Sequence, residues 1–317
     1  MALPYFFAFC TLIAVCGGVT SPAAGKIELN SSRLVRNVPL EVANRAYFLT
    51  SDTSLGRMKL MLDTGTQATE VFTSSIHDAS RVHQNSTRLI GIGRAARAVS
   101  SGQIQMSMNI DPLPRFSTNA IVWARSTDEG DPDSDGILGL DFFDSYCVQL
   151  NLPSSTMEIY PKSTCDNADS EWIALPTKWT KFGILIQIKI KFPNSKVVST
   201  YASIDTGNNG PLLLAGKFRT TAGLDNHPNN KAKVKISGVN GAVDADVIHG
   251  CKILLGNGPG VLTGNVVLAR GRFHPRASIL TFQTAIPDAN LGTSFLGLLN
   301  LRFDSLHKTV YMQRGGQ

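Results

Sequence analysis

The tripeptide Asp-Thr-Gly occurs twice, at residues 63–65 in "GRMKLMLDTGTQATEVF" and at 205–207 in "TYASIDTGNNGPLLL". Each copy ends an apolar run with an acid, and other landmarks recur around each in the same order. In "GILIQIKIKF", Ile184, Ile186, Ile188, Ile190 and Phe192 fall on one face, with Gln187, Lys189 and Lys191 on the other. That two-residue period is a half-buried strand. The turn "PNS" follows, and "VVSTYASI" climbs into the second triplet. The first half has the same plan in "AYFLTSDTSLGRMKLMLDTG": strand, polar turn, strand, triplet. Pro39 precedes Tyr47, and Pro176 precedes Ile184, by the same eight residues (47 − 39 and 184 − 176). Gly139 of "DGILGLDFF" lies 76 residues past Asp63 (139 − 63), and Gly297 of "GTSFLGLLN" lies 92 past Asp205 (297 − 205). A strand pair closes each half, in "CVQLNLPSSTMEIYP" and "LRFDSLHKTVYM". Landmarks in this order predict a duplicated unit of about 140 residues. The expectation is an all-β chain of two similar lobes, 25–168 and 169–317, with short helices at "GLDFFDSY" and "SFLGLLN".

The 317 residues suffice for two modest cores, and 43% hydrophobic with 17% charged residues describes a globular chain. The net charge of +6 is spread along the sequence without a Lys/Arg block, so no nucleic-acid partner is expected. Residues 1–24 stand apart as an apolar segment followed by small residues, with a cut expected near Ala23 or Ala24. This reads as a secretory signal without the usual basic start, and implies a secreted or periplasmic protein. The segment is short for a membrane span, and lipid attachment at Cys16 is the alternative. Beyond it, three cysteines remain, so at least one thiol is unpaired within the chain. Cys147 and Cys165 are spaced to close a loop.

A carboxylate at the end of an apolar strand is costly to bury unless something satisfies it. The threonine brings a hydroxyl, and the glycine lets the backbone turn toward the carboxylate. One such loop is an ordinary polar turn. Two loops joined across a pseudo-twofold axis would set two carboxylates in contact, where like charges force them to share a proton. The ionised member could then take a proton from water while the protonated member polarises a carbonyl. That is amide hydrolysis with neither metal nor cofactor. Coincident turns remain the plain alternative.

The combination of "LMLDTGT" with "DGILGLDFF" and of "ASIDTGN" with "TSFLGLLN" resembles the aspartic peptidases, both pepsin-like and retropepsin-like, over nearly the whole mature chain. The closing strands are nearer the retropepsin-like style, and the single bilobal chain is nearer pepsin. The resemblance implies the bilobal acid-protease fold and a monomeric endopeptidase acting on polypeptides. It implies Asp63 and Asp205 as the catalytic pair, and Thr64 and Thr206 hydrogen-bonding across the lobes. Gly65 and Gly207 would let the backbone fold round the carboxylates. Ile137, Leu138 and Gly139, with Phe295, Leu296 and Gly297, would be structural supports. The sequence departs from the family in two places. Asn208-Asn209-Gly210 follows the second triplet, and the expected flap, residues 90–108, has no tyrosine but carries Arg94 and Arg97. A catalytically silent relative that binds peptides or proteins in the cleft is the alternative function.

Other motifs weigh less. "DPDSDG" starts like a calcium loop but has Phe142 where the closing glutamate belongs, so it reads as an acidic loop. "GTSFLG" lacks the spacing of a nucleophile elbow, which leaves Ser294 a packing or capping role. The six histidines show no metal-ligand spacing.

Overall fold

The computed structural model describes residues 36–88, 98–124, 134–165, 171–180, 183–215, 218–223, 232–238, 241–256, 261–269 and 289–315. The expected signal segment and the expected boundary at 168/169 lie outside these residues.

The first half opens with β1 (Arg36–Pro39), β2 (Glu41–Ala43), β3 (Ala46–Thr53), β4 (Gly56–Leu62) and β5 (Glu70–Phe72). It continues with β6 (His83–Arg88), β7 (Ala98–Met108), β8 (Phe116–Trp123) and β9 (Gly136–Leu138). Helix α1 (Leu140–Ser145), β10 (Cys147–Asn151) and β11 (Thr156–Tyr160) complete it. The second half runs through β12 (Ile173–Leu175), β13 (Thr177–Thr180), β14 (Gly183–Lys191), β15 (Val197–Ile204) and β16 (Leu212–Leu214). Then follow α2 (Phe218–Thr221), β17 (Ala232–Gly238), β18 (Gly241–Leu255), β19 (Val261–Ala269) and β20 (Ala289–Leu291). Helix α3 (Thr293–Leu296), β21 (Leu299–Asp304) and β22 (Thr309–Arg314) end the chain.

The duplication appears as topology. One eight-stranded sheet runs β2-β3-β4-β9-β5-β8-β7-β6, and the other runs β13-β14-β15-β20-β16-β19-β18-β17. Each strand of one has its counterpart at the same place in the other. Each sheet curls until a further pairing meets, β3 with β7 in one lobe and β14 with β18 in the other, giving barrel-like lobes. The alternation read from the sequence explains the curl's interior. Ile184, Ile186, Ile188 and Ile190 are fully buried while Lys189 and Lys191 face solvent. The turn after β14 is closed by Phe192, whose N–H donates to the Lys196 carbonyl at 2.9 Å.

A third sheet, β1-β11-β10-β21-β22-β12, joins the halves. Its centre is the antiparallel pair β10–β21, in which Val148 faces Phe303 and Leu150 faces Leu301. Phe143 of α1 packs edge-on to Phe303 with ring centroids 5.1 Å apart. Buried Arg302 donates from Nε and Nη2 to Oε1 of Gln149 at 2.9 and 2.7 Å, so a charged group also spans the seam. The two closing strand pairs seen in the sequence therefore form one sheet. An apolar core runs without interruption from Leu60 and Leu62 through Leu150 and Leu301 to Ile204 and Leu291.

Cys147 and Cys165 form a disulfide with Cα atoms 5.5 Å apart, tying β10 to the segment after β11. Closing a loop of this length limits the unfolded chain and contributes about 3 kcal/mol. Among the described residues Cys251 on β18 is the free, buried thiol, and burial pushes its pKa up to about 12. Among the described residues no helix is long and apolar enough to cross a membrane.

Candidate active site

Both Asp-Thr-Gly loops hang from a parallel ladder. β4 pairs with β9 so that Leu62 faces Leu138, and the next amide, Asp63 N–H, donates to the Leu138 carbonyl at 3.1 Å. In the other lobe Ile204 faces Leu291, and Asp205 N–H donates to the Leu291 carbonyl at 3.0 Å. The apolar strand thus holds the acid at its end, and the acid emerges where the two lobes meet.

The threonines lock the loops to one another. Thr64 N–H donates to Thr206 Oγ1 at 3.0 Å, and Thr206 N–H donates to Thr64 Oγ1 at 3.2 Å. Each hydroxyl then donates across the seam, Thr64 Oγ1 to the Ile204 carbonyl (2.8 Å) and Thr206 Oγ1 to the Leu62 carbonyl (2.9 Å). Both threonines are fully buried, so removing one hydroxyl strands a donor and an acceptor away from water. Thr206→Val is expected to cost about 2–5 kcal/mol in chemical denaturation. Thr206→Ser keeps the hydroxyl and should cost about 1 kcal/mol, the worth of a buried methyl.

The glycines do more than turn the chain. A Cβ on Gly65 would lie 2.5 Å from Cγ of Asp205, and one on Gly207 would lie 2.3 Å from Cγ of Asp63. Each glycine leaves the space that the opposing lobe's carboxylate fills. The carboxyls of Asp63 and Asp205 therefore face one another across these glycines. Burial and the Asp63 charge push the Asp205 pKa well above the ordinary carboxylate range, while Asn290 and the Asn208 amide pull it down. Like charges this close disfavour ionising both acids at once.

The surroundings of the two acids differ. Asp63 Oδ1 accepts from Gly65 N–H at 2.7 Å, and Oδ2 accepts from the Thr66 hydroxyl at 2.9 Å. Asp205 Oδ1 accepts from the amides of Gly207 and Asn208, both at 3.0 Å, and its Oδ2 accepts from the Asn290 carboxamide. Asn290 is absent from the residues singled out in the sequence.

Its position corrects the expected support in the second lobe. Ile137, Leu138 and Gly139 occupy β9 and the start of α1, but their counterparts are Asn290, Leu291 and Gly292, not Phe295, Leu296 and Gly297. Gly139 and Gly292 each precede the helix that follows the strand. Leu140 N–H donates to the Thr66 carbonyl (2.9 Å) just as Thr293 N–H donates to that of Asn208 (2.7 Å). The close approach is what demands glycine: a Cβ would meet Ala68 at 2.5 Å in one lobe and the Gly210 carbonyl at 2.4 Å in the other. Phe295 and Leu296 are buried within α3, and Gly297 ends it. A signal was present in the shared pattern Leu-Gly-x-x-Phe, at 138–142 and 291–295.

The expected flap corresponds to the β6–β7 hairpin. Arg94 and Arg97 lie outside the described residues. The second lobe repeats it as the β17–β18 hairpin. Of the acidic loop, Asp135 is engaged structurally, accepting from Lys59 N–H at 2.8 Å and from the Ser75 hydroxyl at 2.9 Å. Ser294 has a packing role, receiving Arg45 Nη1 on its hydroxyl at 2.9 Å.

No family model matches the chain, and no curated protein matches its sequence. Solved structures do. An aspartic proteinase from Irpex lacteus is 13% identical, with 88% of this chain and 97% of that one covered and a TM-score of 0.50. Basic 7S globulin from soybean is 11% identical, covering 89% and 95%, at 0.50. Conglutin gamma, a basic 7S globulin from lupine seeds, is 13% identical over the same shares at 0.51. The chain has the bilobal aspartic-protease fold. A proteinase and globulins share it, so the fold does not select the chemistry and the site must.

Proposed function

We propose that the protein is an aspartic endopeptidase, with Asp63 and Asp205 as its catalytic pair. The observation that carries this reading is the reciprocal one: each Asp-Thr-Gly glycine makes room for the other lobe's carboxyl, which sets the two acids against each other. In the one-proton state the ionised carboxylate takes a proton from a water molecule as its oxygen attacks the peptide carbonyl. The protonated carboxyl gives its proton to the developing oxyanion. Collapse of the tetrahedral diol breaks the C–N bond, and a proton passes to the leaving amine. The pair ends with the one proton it began with. The residues that hold the pair in place are Thr64, Thr206, Gly65 and Gly207.

The disulfide and the leader-like residues 1–24 support an extracytoplasmic location. The second reading, a cleft that binds peptides without cutting them, draws on the resemblance to two globulins and on the carboxamide that replaces a hydroxyl beside Asp205. Digestion of a mixed peptide library, with products identified by mass spectrometry, decides between them. Cleavage that a statine-type transition-state mimic blocks is the expected result. An intact library together with saturable peptide binding would give the second reading the lead.

A further inference from the structure

The first lobe meets the outer oxygen of its acid with a hydroxyl three residues on, Thr66 to Asp63. The residue three past Asp205 is Asn208, and its side chain does not reach that acid's outer oxygen. Instead Asn208 Oδ1 accepts from Gly210 N–H at 2.9 Å, while its Nδ2 donates to Asn290 Oδ1 at 2.6 Å and faces the Pro211 carbonyl at 3.4 Å. Asn290 Nδ2 then donates to Asp205 Oδ2.

The direction of this chain is fixed at its far end. A backbone N–H can only donate, so the atom of Asn208 facing Gly210 must be its oxygen. The nitrogen of Asn208 therefore points at Asn290, the oxygen of Asn290 is occupied, and only its nitrogen is left for Asp205. The hydroxyl of Thr66 can rotate to donate or accept as Asp63 gains or loses a proton. The Asn290 N–H has no such freedom and always favours the ionised form of Asp205. Among the described residues, Asp63 is the charged group facing Asp205. The amides of Gly207 and Asn208 and the carboxamide of Asn290 are neutral, and Arg45 approaches the same loop but ends on Ser294.

We propose that Asn290, oriented by Asn208, is a positioning residue that favours the ionised form of Asp205 against its burial and the Asp63 charge, and so sets the pH range over which the pair keeps a single proton. This rests on the peptidase reading. A donor to the Asp205 carboxylate lowers the pH at which that carboxyl gives up the shared proton. Removing the donor moves the basic limb of the activity profile to higher pH.

The test compares kcat/KM against pH for the wild type, Asn290→Ile, and the double variant Asn208→Thr with Asn290→Ile. The double variant rebuilds the first lobe's arrangement of Thr66 and Ile137. Asn290→Ile is expected to move the basic limb up by about one pH unit or more, since a hydrogen bond to a charge is worth about tenfold or more. The double variant should bring it back part of the way. Limbs that stay in place while kcat/KM falls equally at every pH would overturn the proposal and leave Asn290 a packing residue. Asn290→Ala makes the same comparison if Asn290→Ile does not fold. The dependence of melting temperature on pH, measured on the same variants, reads the pair's titration without substrate. If the wild type cuts no peptide, the peptidase reading fails alone. An upward move of that stability transition in Asn290→Ile still supports the Asn290 proposal, and an unmoved transition overturns it.

Discussion

Asp205→Asn is expected to lower kcat/KM on any cleaved peptide by about 10²- to 10⁴-fold, the usual worth of a positioned acid or base. Asp63→Asn should do the same, because each acid serves only as half of a pair. The same substitution has the opposite sign in stability. The pKa of Asp205 is raised in the folded chain, so the folded state binds the proton more tightly than the unfolded state does. That contribution is fully present below the ordinary carboxylate pKa of 3.8 and is lost as the pH rises through the folded value. Asparagine carries no such dependence. The melting temperature of Asp205→Asn should therefore gain on the wild type steadily as the pH goes from acid to neutral. A variant that is inactive yet more stable near neutrality is the signature of two acids held together against their own repulsion.

Gly207→Ala is expected to be nearly as damaging by another route. Its methyl would lie 2.3 Å from Cγ of Asp63, a distance no relaxed contact tolerates, and Asp63 is tethered by Gly65 and Thr66. Either Asp63 leaves its place or the threonine lock between the lobes opens. A displacement of about 1 Å at the reacting groups costs about 100-fold in rate, and overpacking adds about 1–3 kcal/mol of instability. Gly65→Ala should match it, with Asp205 as the displaced acid. Kinetics together with thermal unfolding check the pair. Alanine tolerated at both positions would mean that the carboxylates do not meet as described.

Much of this arrangement is legible in the sequence because it is written in local patterns. The alternation of Ile184 to Ile190, the polar turns and the repeated triplets each follow from a few adjacent residues, and they lead to the two matching sheets. The pairing of Cys147 with Cys165 is one of the pairings that three cysteines allow, and the folded chain forms it. Other features depend on residues far apart in the chain. The seam sheet joins β10 to β21 across some 150 residues, and nothing in either strand names its partner. The cross-lobe need for Gly65 and Gly207 follows only once the opposing acids are in place. Asn290 was hidden for a different reason. Two apolar residues before a glycine mark the support strand of the first lobe, and Phe295-Leu296-Gly297 meets that pattern in the wrong place. The true strand has a polar residue there, because its side chain is bonded to Asp205 rather than packed in the core.

The central claim is that two carboxyls from two lobes work with one proton between them. The dependence of wild-type peptide hydrolysis on pH, from about pH 3 to about pH 8, tests it most directly. A bell-shaped kcat/KM, falling in acid as the second proton binds and in base as the shared proton leaves, is the predicted result. A profile with one limb, or cleavage of the same bonds that persists in Asp63→Asn or Asp205→Asn, would contradict it.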